Sequence, residues 1–387
     1  MKDNDNVCLD VQDNIYDYDA VVPEIVQASN FKFKNFQHYL AVNNDQFAFT
    51  YSRDGNPTIK LLEDKIAKLE NGEAARAFAS GMAAISGTIL SLLSQNDHII
   101  IVNTVYGSSV KLIKQLEKFG ISSIRIDVED TKEIFKYIND NTKMIYFESP
   151  SSQKFAMLDL KLIANKAKEK NIYTVIDNTW ATPLLQNPLL HGIDVVIHSC
   201  SKYIGGHSDI VGGVVISNEK LIKKIDEFAS ILLGGTMAPM NAWLAIRGLR
   251  TLPVRIKAQN ETVIKMIDVL KKDPRIETIY HPYAFENKQK ALADEYLNGY
   301  GSLLSVVLKE ATPKIIERFI DSLNHFTIAY SWGGFESLIM AVYKGNNLDE
   351  LKQRGLNIGH LRVYLGLEDS QLLIDDFLQA LDKAYNE

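Results

Sequence analysis

Beyond residue 60 the chain alternates between amphipathic stretches and short runs that are apolar throughout. Apolar residues recur every three or four positions in the amphipathic stretches, which predicts helices with one buried face. Short apolar runs are typical of parallel strands that are buried on both faces. The predicted helices are 59–70, 83–93, 110–119, 132–138 and 160–170, and the predicted strands are 99–102, 124–126, 144–147, 173–176, 195–198 and 213–216. This alternation predicts an α/β fold on a mostly parallel central sheet.

The pattern changes after residue 248 and is also different before residue 51. The later part predicts helices and separated strands of a smaller α+β domain, at 253–271, 303–308, 362–365 and 370–385. The first residues are rich in Asp and Asn, which predicts a flexible tail. Aromatic residues follow without a clear period, as in an arm that packs on a partner subunit or on its own chain. We therefore predict three parts: a tail and arm at 1–50, a large domain at 51–248 and a C-terminal domain at 249–387.

Composition and charge exclude several classes of function. The chain has 387 residues and a net charge of −6, and no dense cluster of Lys and Arg suggests nucleic-acid binding. No apolar run approaches the roughly 20 residues that a membrane span needs, and the polar N-terminus lacks the apolar core of a secretory signal. The only cysteines, Cys8 and Cys200, have no metal-ligand spacing and suggest no disulfide framework. We expect a cytoplasmic protein without a metal.

A carboxylate and a lysine follow two consecutive predicted strands. Asp177 ends the strand at 173–176, and Lys202 follows the strand at 195–198 through Ser199 and Ser201. Ligands of open parallel sheets bind beyond the carboxyl ends of the strands. An Asp there is usually a turn or a helix cap and a lone Lys is usually solvated, but the pair with its hydroxyls and following glycines favours a site. Such parts suit pyridoxal 5′-phosphate (PLP), which needs a lysine for a Schiff base and a carboxylate at the pyridine nitrogen.

Other candidate residues have ordinary structural readings when each is taken alone. Gly81 and Met82 begin a predicted helix after Ser80. The free amides of this helix start could bind an anion, but Ser80 is equally consistent with an ordinary helix cap. Tyr106 follows a strand and suits ring stacking or surface packing. Arg53 suits a phosphate or plain solvent exposure. An arginine inside an apolar strand, as Arg362 is, commonly pairs with a carboxylate of the protein or of a substrate.

Taken together, the ordered segments resemble one family of enzymes. The segments are YSRDGNPT at 51–58, SGM at 80–82, DNTWATP at 177–183, SCSKYIGGHSD at 199–209, RGLRTL at 247–252, SWGGFESL at 331–338 and RVYLGLED at 362–369. From about residue 51 to the C-terminus the chain resembles the Cys/Met-metabolism family of PLP-dependent enzymes. The resemblance implies the PLP-dependent transferase fold of type I, which is aspartate aminotransferase-like, with PLP bound in the large domain.

The resemblance also implies roles for single residues. Lys202 would hold PLP as a Schiff base and act as general acid and base, Asp177 would pair with the pyridine nitrogen, and Tyr106 would stack on the ring and assist catalysis. The residues implied to hold the phosphate are Gly81, Met82, Ser199 and Ser201, with Tyr51 and Arg53 reaching it from a neighbouring subunit. The residues implied to bind substrate are Arg362 at the α-carboxylate, Ser331, Tyr330 and Trp332. The resemblance implies a homo-oligomer, usually a tetramer.

Two departures from the common pattern are similar to the bacterial cystathionine β-lyases of the family. Most members have Asn where this chain has Ser152, and members that act at Cγ have Glu-Ser-Leu where this chain has Tyr330, Ser331 and Trp332. The implied reaction is β-elimination of L-cystathionine to homocysteine, pyruvate and ammonia, a step of methionine biosynthesis. The alternatives are γ-elimination, γ-replacement or cysteine and cystine desulfhydration on the same scaffold. A protein that kept the fold without catalysis is a more remote alternative.

Overall fold

The computed structural model describes residues 2–10, 20–42 and 49–386. The parts of the predicted tail and arm at 11–19 and 43–48 lie outside this range. Seven strands form the central sheet in the order β1-β7-β6-β5-β4-β2-β3. They are β1 (Ala74–Phe78), β2 (His98–Val102), β3 (Ser122–Ile126), β4 (Thr142–Glu148), β5 (Tyr173–Asp177), β6 (Val195–Ser199) and β7 (Gly213–Ser217).

The central sheet is mostly parallel, as predicted. The neighbours β6, β5, β4, β2 and β3 all pair in parallel. Strand β7 runs antiparallel to both of its neighbours, β1 and β6. Parallel strands need crossover connections, and helices supply most of them. The carboxyl ends of β2, β4, β5 and β6 therefore meet at one edge of the sheet.

Helices cover both faces of this sheet. Those of the first half are α1 (Lys2–Leu9), α2 (Phe36–Val42), α3 (Pro57–Glu70), α4 (Gly81–Leu92), α5 (Gly107–Leu116), α6 (Leu160–Glu169), α7 (Thr182–Leu185) and α8 (Glu219–Ile225). The long helix α9 (Pro239–Leu270) follows. Alternate residues of a strand point to opposite faces, so Tyr146 and Val175 pack with α4, α5 and α8, whereas Phe147 and Ile176 pack with α3, α6 and α9.

A second, five-stranded sheet forms the C-terminal part, in the order β10-β11-β12-β9-β8. Its strands are β8 (Ile276–Tyr280), β9 (Leu303–Leu308), β10 (Thr327–Ile328), β11 (Leu338–Ala341) and β12 (His360–Tyr364). Its helices are α10 (Asn287–Tyr296), α11 (Pro313–Asp321), α12 (Leu348–Gln353) and α13 (Ser370–Asn386). A separate apolar core, which includes Phe319, Phe377 and the end of α9, lies on this sheet. The smaller α+β part expected from the sequence is confirmed.

Three details of the predicted elements were wrong. The helix expected from 253 onward begins at Pro239 and continues through Pro253, across the boundary predicted at 248. The segment predicted as a helix at 132–138 is a 3-10 helix at Thr131–Tyr137. Residues expected in a flexible tail form α1, which contacts α3, α7 and α9 and leaves Cys8 only 2% exposed.

The described residues contain no helix long and apolar enough to cross a membrane. The same residues contain no cluster of three or more His, Cys, Asp or Glu side chains arranged to hold a metal ion.

Candidate active site

Three polar side chains end neighbouring strands on one face of the central sheet. Glu148 ends β4, Asp177 ends β5 and Ser199 ends β6. Glu148 and Asp177 are directly paired in the register of the two strands. Because side chains alternate along a strand, all three continue the face on which Tyr146 and Val175 are buried. The candidate site therefore lies at the carboxyl edge of the sheet.

The N-terminus of α4 lies against the end of β6. Ser80 caps this helix by accepting a hydrogen bond from the Ala83 backbone N–H at 3.0 Å. A Cβ atom on Gly81 would lie 3.0 Å from the Ser199 Oγ, so glycine permits the helix start to approach this hydroxyl closely. Exposed amides of a helix N-terminus favour an anion. The structure thus brings together Gly81 and Ser199, two of the residues predicted to hold a phosphate.

Lys202 lies in the turn that follows β6, in contact with the C-terminal part of the chain. Its Nζ donates to the Ser331 Oγ at 2.6 Å and lies 5.5 Å from the centroid of the Trp332 ring. Burial, reinforced by the positive charge of Arg362, lowers the pKa of Lys202 from 10.5 to about 8, against the opposing effect of Asp177. A lysine in such surroundings has a larger neutral fraction at neutral pH and is a better nucleophile.

The carboxyl of Asp177 is held by Thr179. Its Oδ1 accepts hydrogen bonds from the Thr179 backbone N–H, at 3.0 Å, and from the Thr179 hydroxyl. Burial raises the pKa of Asp177, while the Thr179 hydrogen bonds and the nearby His198 and Lys202 oppose the rise. The Thr179 hydroxyl also accepts from the Ser199 backbone N–H at 2.8 Å, which links Asp177 to the end of β6.

Arg362 and Ser331 meet beside Lys202. The Arg362 guanidinium donates to the Ser331 carbonyl oxygen at 3.2 Å. Burial lowers the pKa of Arg362, and the phenols of Tyr330 and Tyr106 act in the opposite direction. No carboxylate of the described residues forms an ion pair with Arg362, so its charge is available to an anionic ligand. Tyr330 is 74% exposed and Tyr106 is 52% exposed.

The sequence belongs to a known family of enzymes. The pattern of the family described as Cys/Met metabolism PLP-dependent enzyme matches residues 7–382. The chain is a member of that family. A cystathionine beta-lyase from Staphylococcus haemolyticus is 36% identical over 379 residues, which are 96% of this chain and 92% of the relative. A cystathionine gamma-lyase from Bacillus subtilis is 36% identical over 339 residues, which are 86% and 89% of the two chains.

Solved structures of family members share the architecture. Cystathionine gamma synthase from Xanthomonas oryzae pv. oryzae, in complex with aminoacrylate and cysteine, superposes with a TM-score of 0.92. It is 31% identical and covers 99% of this chain and 98% of its own. The predicted PLP-dependent fold of type I is confirmed, and PLP is the cofactor of this family of Cys/Met-metabolism enzymes.

The residues at the carboxyl edge of the sheet fit PLP. Lys202 supplies an amine of lowered pKa, and Asp177 supplies a partly buried carboxyl. Gly81 and Ser199 lie close together beside the N-terminal amides of α4, where a phosphate could bind. Ser201 lies close by, where its Oγ accepts from the Gly212 backbone N–H at 3.1 Å. Met82, the second residue of α4, is partly buried. The individual roles of these residues stay predictions.

Tyr51 and Arg53 lie in a turn that is fixed to the edge strand β1. The Arg53 guanidinium lies 5.1 Å from the centroid of the Tyr51 ring and 3.4 Å from the Asp54 carboxylate. The buried Arg76 donates to the Arg53 carbonyl oxygen at 3.0 Å, which holds the turn against β1. Both predicted phosphate ligands present exposed side chains. Their action on a neighbouring subunit stays a prediction.

Sequence reasoning missed Glu148 as a functional candidate. Its carboxyl accepts from the Tyr106 backbone N–H at 2.5 Å and from the Ser152 hydroxyl at 2.6 Å. The sequence did carry a signal, because Glu148 ends an apolar strand as Asp177 does. Nothing in the sequence alone showed that the two strands are neighbours in register.

Proposed function

We propose that this enzyme cleaves L-cystathionine by β-elimination, releasing homocysteine, pyruvate and ammonia. The observation that carries the proposal is the position of Ser331 and Trp332 at the reacting amine. The Ser331 Oγ lies 2.6 Å from the Lys202 Nζ. The centroid of the Trp332 ring lies 5.5 Å from this amine and 5.5 Å from the centroid of the Tyr203 ring. Family members that act at Cγ typically have Glu-Ser-Leu at the positions that correspond to 330–332. Here Tyr330 and Trp332 place phenol and indole groups beside the site in place of an acid and an aliphatic side chain.

The difference bears on the reaction because the two eliminations need different proton transfers. A γ-elimination removes a proton from Cβ after the proton from Cα. A β-elimination needs only the Cα proton and the loss of a thiolate from Cβ. The charged groups that act on the Lys202 amine are Arg362 and Asp177, and segment 330–332 contributes none. This segment therefore offers no carboxylate that could accept a second proton.

PLP, when bound, supplies the electron sink that stabilises negative charge at the substrate Cα. Arg362 binds the substrate α-carboxylate, and its hydrogen bond to the Ser331 carbonyl fixes the guanidinium beside Lys202. Asp177 keeps its carboxylate at the end of β5 through the Thr179 hydrogen bonds. Lys202 removes the Cα proton in its neutral form and can return a proton to the departing sulfur. Tyr106 is the second group that can protonate the sulfur.

The net reaction adds one water to L-cystathionine. The Cβ–S bond breaks, the sulfur leaves with a proton as homocysteine, and the remaining three-carbon fragment hydrolyses to pyruvate and ammonia. We also propose a homo-oligomer, usually a tetramer in this family, in which Tyr51 and Arg53 complete the site of a neighbour.

The identity of the keto acid tests this proposal directly. Purified protein loaded with PLP is incubated with L-cystathionine, and the keto acid and thiol are identified by chromatography and mass. We expect pyruvate with homocysteine. The formation of 2-oxobutyrate with cysteine would instead establish γ-elimination and would remove the argument from Tyr330 and Trp332. It would leave the assignment of Lys202 and Asp177 untouched.

A further inference from the structure

Glu148 joins two loops at the mouth of the site through one buried carboxyl. Glu148 is 8% exposed and ends β4. Its Oε1 accepts from the Tyr106 backbone N–H at 2.5 Å, and its Oε2 lies 2.6 Å from the Ser152 Oγ. Tyr106 is the N-cap residue of α5 and has no side-chain hydrogen bond of its own at this cap. The Glu148 carboxyl thus serves as the acceptor that this helix start lacks.

The two loops are also bonded to each other. The Ser152 backbone N–H donates to the Thr104 carbonyl oxygen at 2.8 Å, and the Thr104 hydroxyl donates to the Ser152 carbonyl oxygen. Thr104 lies two residues before Tyr106. The connection from β2 to α5, which carries Tyr106, and the loop after β4 are therefore bonded to each other and to Glu148.

The surroundings of Glu148 favour its neutral form. Burial, and next the charge of Asp177 on the adjacent strand, raise the pKa of Glu148 to about 8, while hydrogen bonds from Ser152 and Tyr106 oppose the rise. Tyr146, two residues earlier on the same face, is the other titratable group beside it. No cation of the described residues pairs with Glu148. An ionised carboxylate here would be a buried, unpaired charge next to a second carboxylate, which is costly.

We propose that Glu148 is a positioning residue for Tyr106 that acts in its protonated state and releases the Tyr106 loop when it ionises. In the protonated state one oxygen accepts from the Tyr106 N–H, and the Ser152 hydroxyl, which donates to Oε2 in this structure, rotates to accept from the protonated oxygen. Ionisation strengthens both hydrogen bonds, but it also leaves a buried charge beside Asp177, and this larger cost turns the carboxylate toward water, so that the Tyr106 N–H loses its acceptor. The inference rests on this site being the reacting centre, but it does not depend on whether the Cβ–S or the Cγ–S bond is cleaved.

The Glu148→Gln variant tests whether ionisation of the Glu148 carboxyl controls activity. A glutamine amide has the same shape, accepts from the Tyr106 N–H, donates to Ser152 and cannot ionise. We expect E148Q to retain kcat/KM within about threefold of the wild type at pH 7. Because ionisation of Glu148 removes activity only in the wild type, the ratio of E148Q to wild-type kcat/KM should rise about tenfold between pH 7 and pH 9. E148A, which removes the acceptor, should be about 10- to 100-fold less active than E148Q at every pH.

A second readout does not depend on turnover. A carboxyl whose folded pKa is raised from 4.5 to about 8 stabilises the folded state below its unfolded pKa, and this stabilisation is lost as pH rises toward 8. The Tm of the wild-type cofactor-free protein, relative to that of E148Q, should therefore fall as pH increases from about 5 to about 8. Thermal denaturation followed by circular dichroism measures both proteins in the same buffers.

Asp376→Asn provides the matched control. Asp376 is a buried carboxyl in the C-terminal part that accepts from the backbone N–H groups of Asn324 and His325 at 2.8 to 3.0 Å. Burial alone would raise the pKa of Asp376, but these hydrogen bonds lower it overall. The Tm of the wild type relative to D376N should therefore fall toward acid pH, opposite to E148Q, and the pH profile of kcat/KM should not change.

Two outcomes overturn the proposal. One is a constant ratio of E148Q to wild-type kcat/KM between pH 7 and pH 9. The other is an E148Q protein that is as inactive at pH 7 as E148A while it still folds and retains bound PLP. A failure of the proposed β-elimination would appear separately, as 2-oxobutyrate formed by the wild type.

Discussion

Lys202, the predicted Schiff-base lysine, lies in electrostatic surroundings that favour its neutral form. Its pKa is lowered from 10.5 to about 8 by burial and by Arg362. At pH 7 roughly one tenth of the amine is then neutral, compared with roughly one part in three thousand for an unperturbed lysine. Because only the neutral amine can attack a carbonyl or accept a proton, the surroundings raise the reactive fraction by more than two orders of magnitude.

The capture of PLP by cofactor-free protein should therefore depend on pH in a defined way. We expect the rate constant for covalent capture to rise about tenfold per pH unit up to about 8 and then level off. Stopped-flow absorbance with excess PLP measures this rate, and K202A provides the non-covalent baseline. A rate that still climbs tenfold between pH 9 and pH 10 would mean that the lysine has an ordinary pKa in the folded protein.

At the scale of the elements, the loop between β10 and β11 carries Ser331 and Trp332 and lies close to Lys202. Its backbone at Gly333 is in near contact with the backbone of Lys202 and Tyr203. Gly333 has φ +88°, and a Cβ there would lie 2.6 Å from the Tyr203 N and 2.7 Å from the Lys202 C. Any side chain would push this loop away from Lys202. The 2.6 Å hydrogen bond between Lys202 and Ser331 depends on that approach.

Comparing the Gly333→Ala and Gly345→Ala variants separates the effect of a positive φ, which both share, from the effect of close packing against Lys202, which only Gly333 has. Gly345 has φ +87° and open space around its Cβ position. We expect each alanine to cost about 1 kcal/mol of unfolding free energy through its positive φ, and G333A to cost more because its Cβ would also collide with the backbone of Lys202 and Tyr203. Only G333A should also lower kcat, by about 10-fold or more, because it displaces Ser331. Chemical denaturation and steady-state kinetics provide the two measurements, and equal kcat values for the two variants would contradict the role of Gly333.

At the scale of the whole molecule, the placement of Tyr51 and Arg53 suggests how subunits would cooperate. The turn that carries them is fixed to β1 by Arg76, at the edge of the central sheet, whereas Lys202 follows β6 in its interior. Their side chains are exposed and form a stacked pair. Such an arrangement is suited to binding a phosphate on a neighbouring copy of the chain.

Mixed oligomers test this arrangement. K202A and R53A should each be nearly inactive alone, since each removes one half of every site. In a hybrid dimer one site carries both substitutions and the other carries neither. Random mixing makes half of the dimers hybrid, so co-expression should restore about one quarter of the wild-type activity. A mixture no more active than the separate variants would place Arg53 outside the neighbouring site.

The sequence by itself determined the class of fold and predicted Asp177 and Lys202 as the reacting pair. Continuously apolar strands and amphipathic helices have different patterns of apolar residues, so both can be predicted from the sequence. Asp177 and Lys202 were found because they follow the predicted strands at 173–176 and 195–198. Ordered segments at 51–58, 177–183 and 199–209 identified the family, because a match of residue types in order does not require knowledge of the contacts.

Tertiary structure decided the features that depend on which elements are neighbours. The pairing of Glu148 with Asp177 follows from the sheet order, and hydrophobic periodicity does not specify that order. Helix α9 passes through Pro253, although an interior proline costs about 3 kcal/mol, because buried residues such as Ile246, Leu249 and Leu252 hold its preceding turns. Cys8 is buried in α1 since α3, α7 and α9 together cover a helix too short to be stable alone. Each of these outcomes depends on contacts between residues far apart in the chain, which local sequence patterns do not encode.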